Sequence, residues 1–567
     1  MYRKPARLFF CSFLFSIFLL PAIAQNTVGV IQIEEEQLQD GYTFFSPFSG
    51  TKAYLVDNCG ELVNQWDRGT RPGLSAYFLE NGLMLRTYKL DPLGPFTSAS
   101  NAGGLELVDW DNNTLWQYEI NSPTQLSHHD AVYMPNGNIL VLTWELVYET
   151  ELIELGRDPD EIAPEGFMWS EHILELEPLG QNEANIIWEW EIRDHYIQDF
   201  DATKLNYGVV SEHPELFNIN LPELNSSNSN ASRDWNHFNG IDYNPDLDQI
   251  LISVRNSDEI WILDHSTTTA EAASHSGGLY GKGGDILYRW GNAAAYNRAP
   301  LSQQKLFGQH GAQWIGEGLE DAGKIILFNN GNGRPGTDYS TGETLDPPQD
   351  ANGGYPVPVT DPFGPEETQI IYGDQPSDWL YSPYLSNAQR LPSGNTLMNY
   401  GSLGTLLEIS PEKEVLWEYV IPLVGDVPVP QGQTANNNWS FRAYRYPPDY
   451  SGLTGLDLSP NGTIEPGESQ IDCVLTNAQE PSIDHSKVSS SIGLVYDRAA
   501  QALVVENPEF KQLSISLFDL WGRKVFFATE GAAQQLTFFL PVLLDGIYIA
   551  HVSTREGDRV VEKLFLN

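Results

Sequence analysis

The sequence predicts an all-β protein: a six-bladed β-propeller followed by a small C-terminal β-sandwich. Three observations carry that prediction. A short strand ending in aromatic residues recurs six times between residues 50 and 450, alternating strands and glycine-bearing turns recur around it, and amphipathic helices are scarce.

Residues 1–24 read as a secretory leader rather than as part of the folded protein. Arg3, Lys4 and Arg7 precede an apolar run from Leu8 to Leu20, and Ala22, Ile23 and Ala24 form a small-x-small cleavage site ahead of Gln25. The run is short for a membrane anchor, which needs about 20 apolar residues. No later segment is apolar enough to span a bilayer, so the expectation is an exported chain without a transmembrane segment.

The formal net charge is −45, and loss of the three leader cations takes it to −48. Such a surface repels nucleic acid and anionic lipid, so nucleic-acid binding is excluded as a main function. An anionic small molecule needs a local positive pocket set against that field. Cys11 leaves with the leader. Cys59 and Cys473 remain, either as a disulfide suited to an oxidising compartment or as two buried thiols.

The propeller is assigned to residues 25–455. The recurring strand reads ELVNQW (61–66), NTLWQY (113–118), NIIWEW (185–190), DILYRW (285–290), QIIY (369–372) and EVLWEY (414–419). An alternating strand precedes most copies, as in AYLVD (53–57), LELVD (105–109), ILELE (173–177), IWILD (260–264) and TLLEI (405–409). A second unit is a turn entering a strand: LENGLML (79–85), MPNGNIL (134–140) and LPSGNTL (391–397). Its Asn-Gly and Ser-Gly pairs supply the positive φ that a tight hairpin requires. Four-stranded units repeated around a ring make a propeller, and six copies predict six blades. Polar inserts near 150–170, 195–234, 265–284 and 331–367 read as loops over one face.

Residues 456–484, with SPNG (459–462) and EPGE (465–468), read as a linker. Residues 485–567 form a separate β unit with strands at 513–520, 521–525, 545–549 and 560–566. Asp519, Leu520, Gly522, Arg523 and Lys524, the Gly546–Tyr548 step and Lys563 make this unit resemble the C-terminal sorting domain of type IX secretion. That resemblance implies the type IX machinery as a partner and a secreted or outer-membrane surface location.

Only 11 histidines are present, and several occupy one structural slot, at the start of a blade's inner strand. His128 and His129 precede AVYMPNGN, His237 lies in WNHFNGIDYNP, and His310 lies in GQHGAQW. Inner strands of a propeller all face one channel, so equivalent positions on different blades converge there. Arg255 ends the strand ILISVR, which follows His237 in the same blade, and can fork two N–H bonds onto an oxyanion. The arginine argues against a metal centre among these histidines, because it sets a cation beside a cation.

NHFNGIDYNP (236–245), ISVR (252–255), Gln309-His310 and NWSFRAYRYPPD (438–449) together resemble bacterial arylsulfate sulfotransferases, over roughly residues 45–460. The resemblance implies a central active site and sulfuryl transfer from a phenolic sulfate to a phenol acceptor through a sulfo-histidine, with no nucleotide donor and no cofactor. It implies His310 as nucleophile, with His237, Arg255 and one of His128 or His129 holding the sulfuryl oxygens and Asn239 as a pocket donor. The cysteine pair that some members carry near the active site is missing here. Trp314 and Tyr444 are candidates to sandwich a phenol or to pack in the core. Arg442 and Arg445 are candidates for pocket cations or surface pairs. A hydrolase using water as acceptor, and a non-catalytic propeller binding glycan or protein, are the rival readings. An oligomer is compatible with the sequence.

Overall fold

The computed structural model describes residues 26–222, 233–375 and 380–469, Ile471, Cys473 and, beyond them, seven strands and Leu540 between residues 493 and 566. The predicted leader lies outside the described residues, as do Leu520, Gly522 and Arg523 of the sorting-domain motif.

Six antiparallel blades form the main body. All six copies of the recurring strand are the fourth strand of a blade: Leu62–Asp67, Thr114–Glu119, Glu183–Glu191, Tyr288–Trp290, Gln369–Tyr372 and Val415–Val420. The reason for the repeat is visible in the tryptophans. Trp66, Trp116, Trp190, Trp290 and Trp417 are buried. Each indole N–H donates to a main-chain carbonyl of the next blade: Asp109, Glu183, Gly284, Pro365 and Asn58, at 2.8–2.9 Å. A wedge-shaped gap between twisted sheets is filled by a large ring whose polar edge is satisfied across it.

Both chain ends close the ring. Ser440–Tyr446 pairs as the inner strand with Tyr42–Pro47, so one blade joins the last propeller strand to the first part of the chain. Gly29–Ile33 adds a fifth strand outside Val415–Val420. The segment expected as a linker stays on the propeller through its described part. Thr463 bridges Glu61, and Cys473 is disulfide-bonded to Cys59 with Cα atoms 5.6 Å apart.

The expected loop inserts carry some structure of their own. The strands Ile139–Tyr148 and Phe167–Leu179 run into the 150–170 insert, a two-stranded parallel pair Tyr196–Ile197 and Phe217–Asn218 sits in the next, and Thr269–Ala272 forms one helical turn in the third. Among the described residues no helix is long and apolar enough to cross a membrane. The C-terminal strands form a three-stranded and a four-stranded antiparallel sheet. Leu503, Val505 and Phe538 from the first join Ile515, Leu517, Ala550 and Val552 from the second in one apolar cluster.

The inner strands carry one irregularity that positions the site. Their pairing with the second strand is broken near the same end in five blades, between Phe45 and Pro47, Pro72 and Ala76, Val141 and Thr143, Phe238 and Gly240, and His310 and Gln313. Bulges of this kind bend a strand and re-aim its side chains.

Trp417→Phe tests the inter-blade bond. It keeps an aromatic ring but strands the buried Asn58 carbonyl, and should lower unfolding stability by roughly 1–3 kcal/mol. The check is a urea midpoint that falls at an unchanged slope.

Candidate active site

The bulged ends of three inner strands bring His129, His237 and His310 together. His129 and His237 both have positive φ, 47° and 55°, and Gly311 behind His310 has φ 62°. Left-handed backbone at a non-glycine residue costs about 1–3 kcal/mol and is found where the surroundings enforce it. Here it turns the imidazoles into the axis of the ring. The His129 and His237 ring centroids are 4.6 Å apart, edge to face. The charges of His237, Arg255 and Arg442 all reach His310.

Each ring is held from behind. His310 Nδ1 lies 2.8 Å from Asn330 Oδ1 and 3.0 Å from the Gly308 carbonyl. The Asn330 amide nitrogen donates to the carbonyls of Ser382 and Leu385, which fixes that amide's orientation. Nδ1 therefore carries the proton, and the lone pair of His310 is on Nε2. His237 Nδ1 donates to Asp234 Oδ2 at 2.5 Å, with Asp234 fully buried. His128 stacks on Trp144 at 4.0 Å, sets Nε2 3.0 Å from Glu171, and meets His129 through the two Nδ1 atoms at 2.8 Å. The sequence left His128 and His129 as alternatives; His129 faces the other imidazoles and His128 supports it.

Arg255 sits across the hairpin from His237, its N–H donating to the His237 carbonyl. Its guanidinium is buried, bonds Asn256 Oδ1 at 3.1 Å and feels Asp258 and Asp234. Arg442 reaches the cluster from the ring-closing strand. It stacks 3.7 Å over Phe441 and donates to the carbonyls of Ser386 and Asn239. Arg445, by contrast, is fully buried against Glu408, away from these groups.

Burial, then the positive charges of Arg255 and Arg442, holds the His310 pKa well below the ordinary histidine value. Burial and then His237 do the same to His129. Two buried guanidiniums, Arg255 and Arg442, beside these imidazoles suit an anion with three oxygens.

One candidate packs away from these groups. Trp314 ends the strand that His310 begins, and its ring packs against the large apolar core while its main-chain N–H donates to Asp242. Asn239 donates one side-chain N–H to the Gln309 carbonyl at 2.7 Å, tying two inner strands together, and its own main-chain carbonyl accepts from Arg442. Tyr444 also lies further along the channel, against Tyr77, in a cavity of about 220 Å³ that Asp130, Asp242 and Gln313 also line.

An apolar flank went unread in the sequence. Leu74, Leu385 and Phe441, from the three blades that bear no site histidine, cluster with Phe48 and Trp439. Phe441 lies 6.4 Å from the His129 ring and 6.5 Å from that of His310. Tyr384, partly exposed, meets Trp439 edge-on at 5.4 Å. An aromatic surface therefore adjoins the cationic one.

Residues 112–421, more than half of the 567-residue chain, match the sequence model of the family described as Arylsulfotransferase (ASST). No curated protein matches the chain. Similar solved structures include a protein of unknown function from Bacteroides caccae, at 12% identity and TM-score 0.36, covering 67% of this chain and 93% of that one. They also include the periplasmic gluconolactonase PpgL of Pseudomonas aeruginosa, at 10% identity and TM-score 0.31, covering 70% and 99%. A streptogramin B lyase is similar at 9% identity and TM-score 0.32, covering 75% and 96%.

The proton arrangement at His310 is testable without turnover. Histidine C2 hydrogen–deuterium exchange, read by mass spectrometry across pH, should place the His310 midpoint clearly below about 6.5. Asn330→Asp sets a carboxylate on Nδ1–H, favours the imidazolium, and should move that midpoint upward. An ordinary midpoint in the unaltered protein, or none of that upward shift in the variant, contradicts the assignment.

Proposed function

The chain belongs to the arylsulfotransferase family, and from that premise we propose that it moves a sulfuryl group from a phenolic sulfate ester to a phenol through a sulfo-histidine at His310. The observation that carries this reading is the fixed tautomer of His310. Nδ1–H is held by Asn330 and Gly308, so Nε2 offers a lone pair to the cavity at neutral pH.

A sulfate monoester resists attack because its oxygens repel a nucleophile and the transition state spreads charge over three equatorial oxygens, as in phosphoryl transfer. Arg255, His237 and His129 are assigned to those oxygens, with Arg442 adding positive potential from below. His310 Nε2 attacks sulfur in line; the S–O bond to the aryl group breaks and a phenolate departs. A second phenol then attacks the sulfo-histidine; the N–S bond breaks and neutral His310 returns. On balance the acceptor's phenolic proton ends on the departed phenolate. The Leu74, Leu385, Phe441 and Trp439 surface supports an aryl ring as the group beside the sulfur. No step calls for a metal or nucleotide.

The two C-terminal sheets are read as a β-sandwich. With the motif residues Asp519, Gly546, Tyr548 and Lys563, they support delivery through the type IX machinery after removal of residues 1–24, to the outer surface or medium. The propeller, from residue 25 to about 455, is the catalytic unit of this scheme.

The test is transfer from 4-nitrophenyl sulfate, assayed with and without a phenol acceptor. Release of nitrophenolate should depend on the acceptor and follow ping-pong kinetics. His310→Ala should lose at least about a thousandfold, and Arg255→Ala about 100–1000-fold in kcat, each with unchanged circular dichroism. Full activity in His310→Ala, or release that needs only water, would remove this function.

A further inference from the structure

At the rim of the ring, far in sequence from the axial histidines, His195, His275 and Asp285 form a second cluster. His195 ends the short 3-10 turn Ile192–His195 that follows the fourth strand of one blade. Asp285 and His275 belong to the insert that leads into the fourth strand of the next blade. His195 Nδ1 lies 2.8 Å and His275 Nδ1 2.7 Å from the same oxygen, Asp285 Oδ1. The three ligand atoms lie within 4.8 Å of one another.

The hydrogen bonding of His195 carries a separate message. Its Nε2 is 2.8 Å from the Ala272 carbonyl, which accepts only, so Nε2 bears the proton. In the neutral ring Nδ1 is then a lone pair, aimed at a carboxylate oxygen. Two lone pairs at that distance repel unless a proton or a cation stands between them. The side chain is 1% exposed, and the same Asp285 oxygen also collects a second imidazole nitrogen, from His275. A metal-bound histidine whose other ring nitrogen donates to a main-chain carbonyl is the usual outer arrangement of a zinc ligand.

The surroundings are built to hold these atoms. Thr268 and Glu271 form a capping box that starts the turn Thr269–Ala272 and so places the Ala272 carbonyl. Trp190 stacks on His195, centroids 5.4 Å apart and planes within 3°, and its N–H donates to Gly284. At Gly284 a Cβ atom would stand 2.0 Å from the Ala272 carbonyl and 2.7 Å from His195 Nε2, so only glycine lets Asp285 approach. His275 is 61% exposed on the solvent side, which leaves room for a water as fourth ligand and for the ring to adjust. Bonds of about 2.0–2.1 Å to tetrahedral zinc set ligand atoms somewhat further apart than the two histidine–carboxylate pairs, so each of those pairs opens by about half an ångström on binding. Lys282 is a neighbouring ammonium, and its charge faces Glu215 as well as Asp285.

We propose that His195, His275 and Asp285 bind one Zn²⁺ that clamps the 265–284 insert to the adjoining blade. The ligand set of two imidazoles and one carboxylate selects a borderline transition metal over calcium or magnesium, which take oxygen. The role is structural, and it does not rest on the sulfuryl-transfer reading.

The experiment uses the full mature chain, stripped by chelator and titrated with Zn²⁺ in millimolar Mg²⁺ to occupy weak carboxylate sites. Calorimetry and elemental analysis should find one zinc per chain, and Co²⁺ in its place should give the visible absorption of a four-coordinate site. His275→Ala, an exposed change that leaves the buried pair intact, should weaken Zn²⁺ binding at least about tenfold. Zinc should raise the unfolding temperature of the unaltered chain and not that of the variant. No zinc uptake, or equal uptake by both, overturns the site and leaves the cluster as an imidazolium–carboxylate group. Aryl-sulfate transfer by the stripped protein is the independent readout: it is expected to persist, so loss of either result leaves the other standing.

Discussion

The ring rests on one repeated contact, the indole N–H of a fourth-strand tryptophan donated to a main-chain carbonyl of the next blade. A propeller has no single core; it is a circle of sheets that must pack face to face. A tryptophan buries a large ring in each interface and satisfies a carbonyl that would otherwise be stranded there. Those contacts set the angle between blades, and the angle sets where the inner strands meet. The ring-closing strand Ser440–Tyr446 and the Cys59–Cys473 bond then hold the two ends of the circle together.

Given that circle, the site is made by irregularity in the inner strands. Regular alternation would send every second side chain into the blade interface. Bulges and positive φ at His129 and His237 turn the imidazoles toward the axis instead. The stabilising aromatic contacts lie at the outer edge and the strain at the inner one, so the structure that enforces the strain is separate from the residues that bear it. The chain's net charge of −45 adds a second constraint. An anionic substrate enters against that field, and what favours it is local: Arg255 and Arg442, buried where solvent screens them little.

The outer strands were legible because their signal is local: an alternating run ending in a large ring, repeated six times, including the form QIIY that lacks tryptophan. The inner strands share no such repeated motif. His129, His237, His310 and Arg255 could still be found, because three histidines in one slot and an arginine across a hairpin are a positional pattern. Their supports could not. Asp234 and Glu171 act through space, and only Asn330 left a trace: it follows the second strand of its blade, Ile325–Asn329, in the slot that Arg255 fills after Gln249–Val254. Of the two places the sequence offered Trp314, the structure gives it the core. Four residues along a strand are about 13 Å, so one chain segment does not supply both the His310 ring and the wall beside it. The wall comes instead from Leu74, Leu385 and Phe441, on blades with no motif to advertise them.

The two histidine clusters of this chain differ in what stands beside the rings. At the axis the guanidiniums of Arg255 and Arg442 act on His310, and the carboxylates of Asp234 and Glu171 are bonded to His237 and His128. The two guanidiniums repel a metal cation and draw in an oxyanion, and burial keeps His310 neutral. At the rim a carboxylate stands between two imidazoles, and the proton on His195 is pinned to the far side of its ring by a carbonyl. That inverts the preference: a cation is drawn in and an anion excluded. Histidine is the same acid–base group in both places. The sign of the charge that the backbone sets beside it, and the ring nitrogen that the backbone leaves unprotonated, separate the chemistry of one cluster from that of the other.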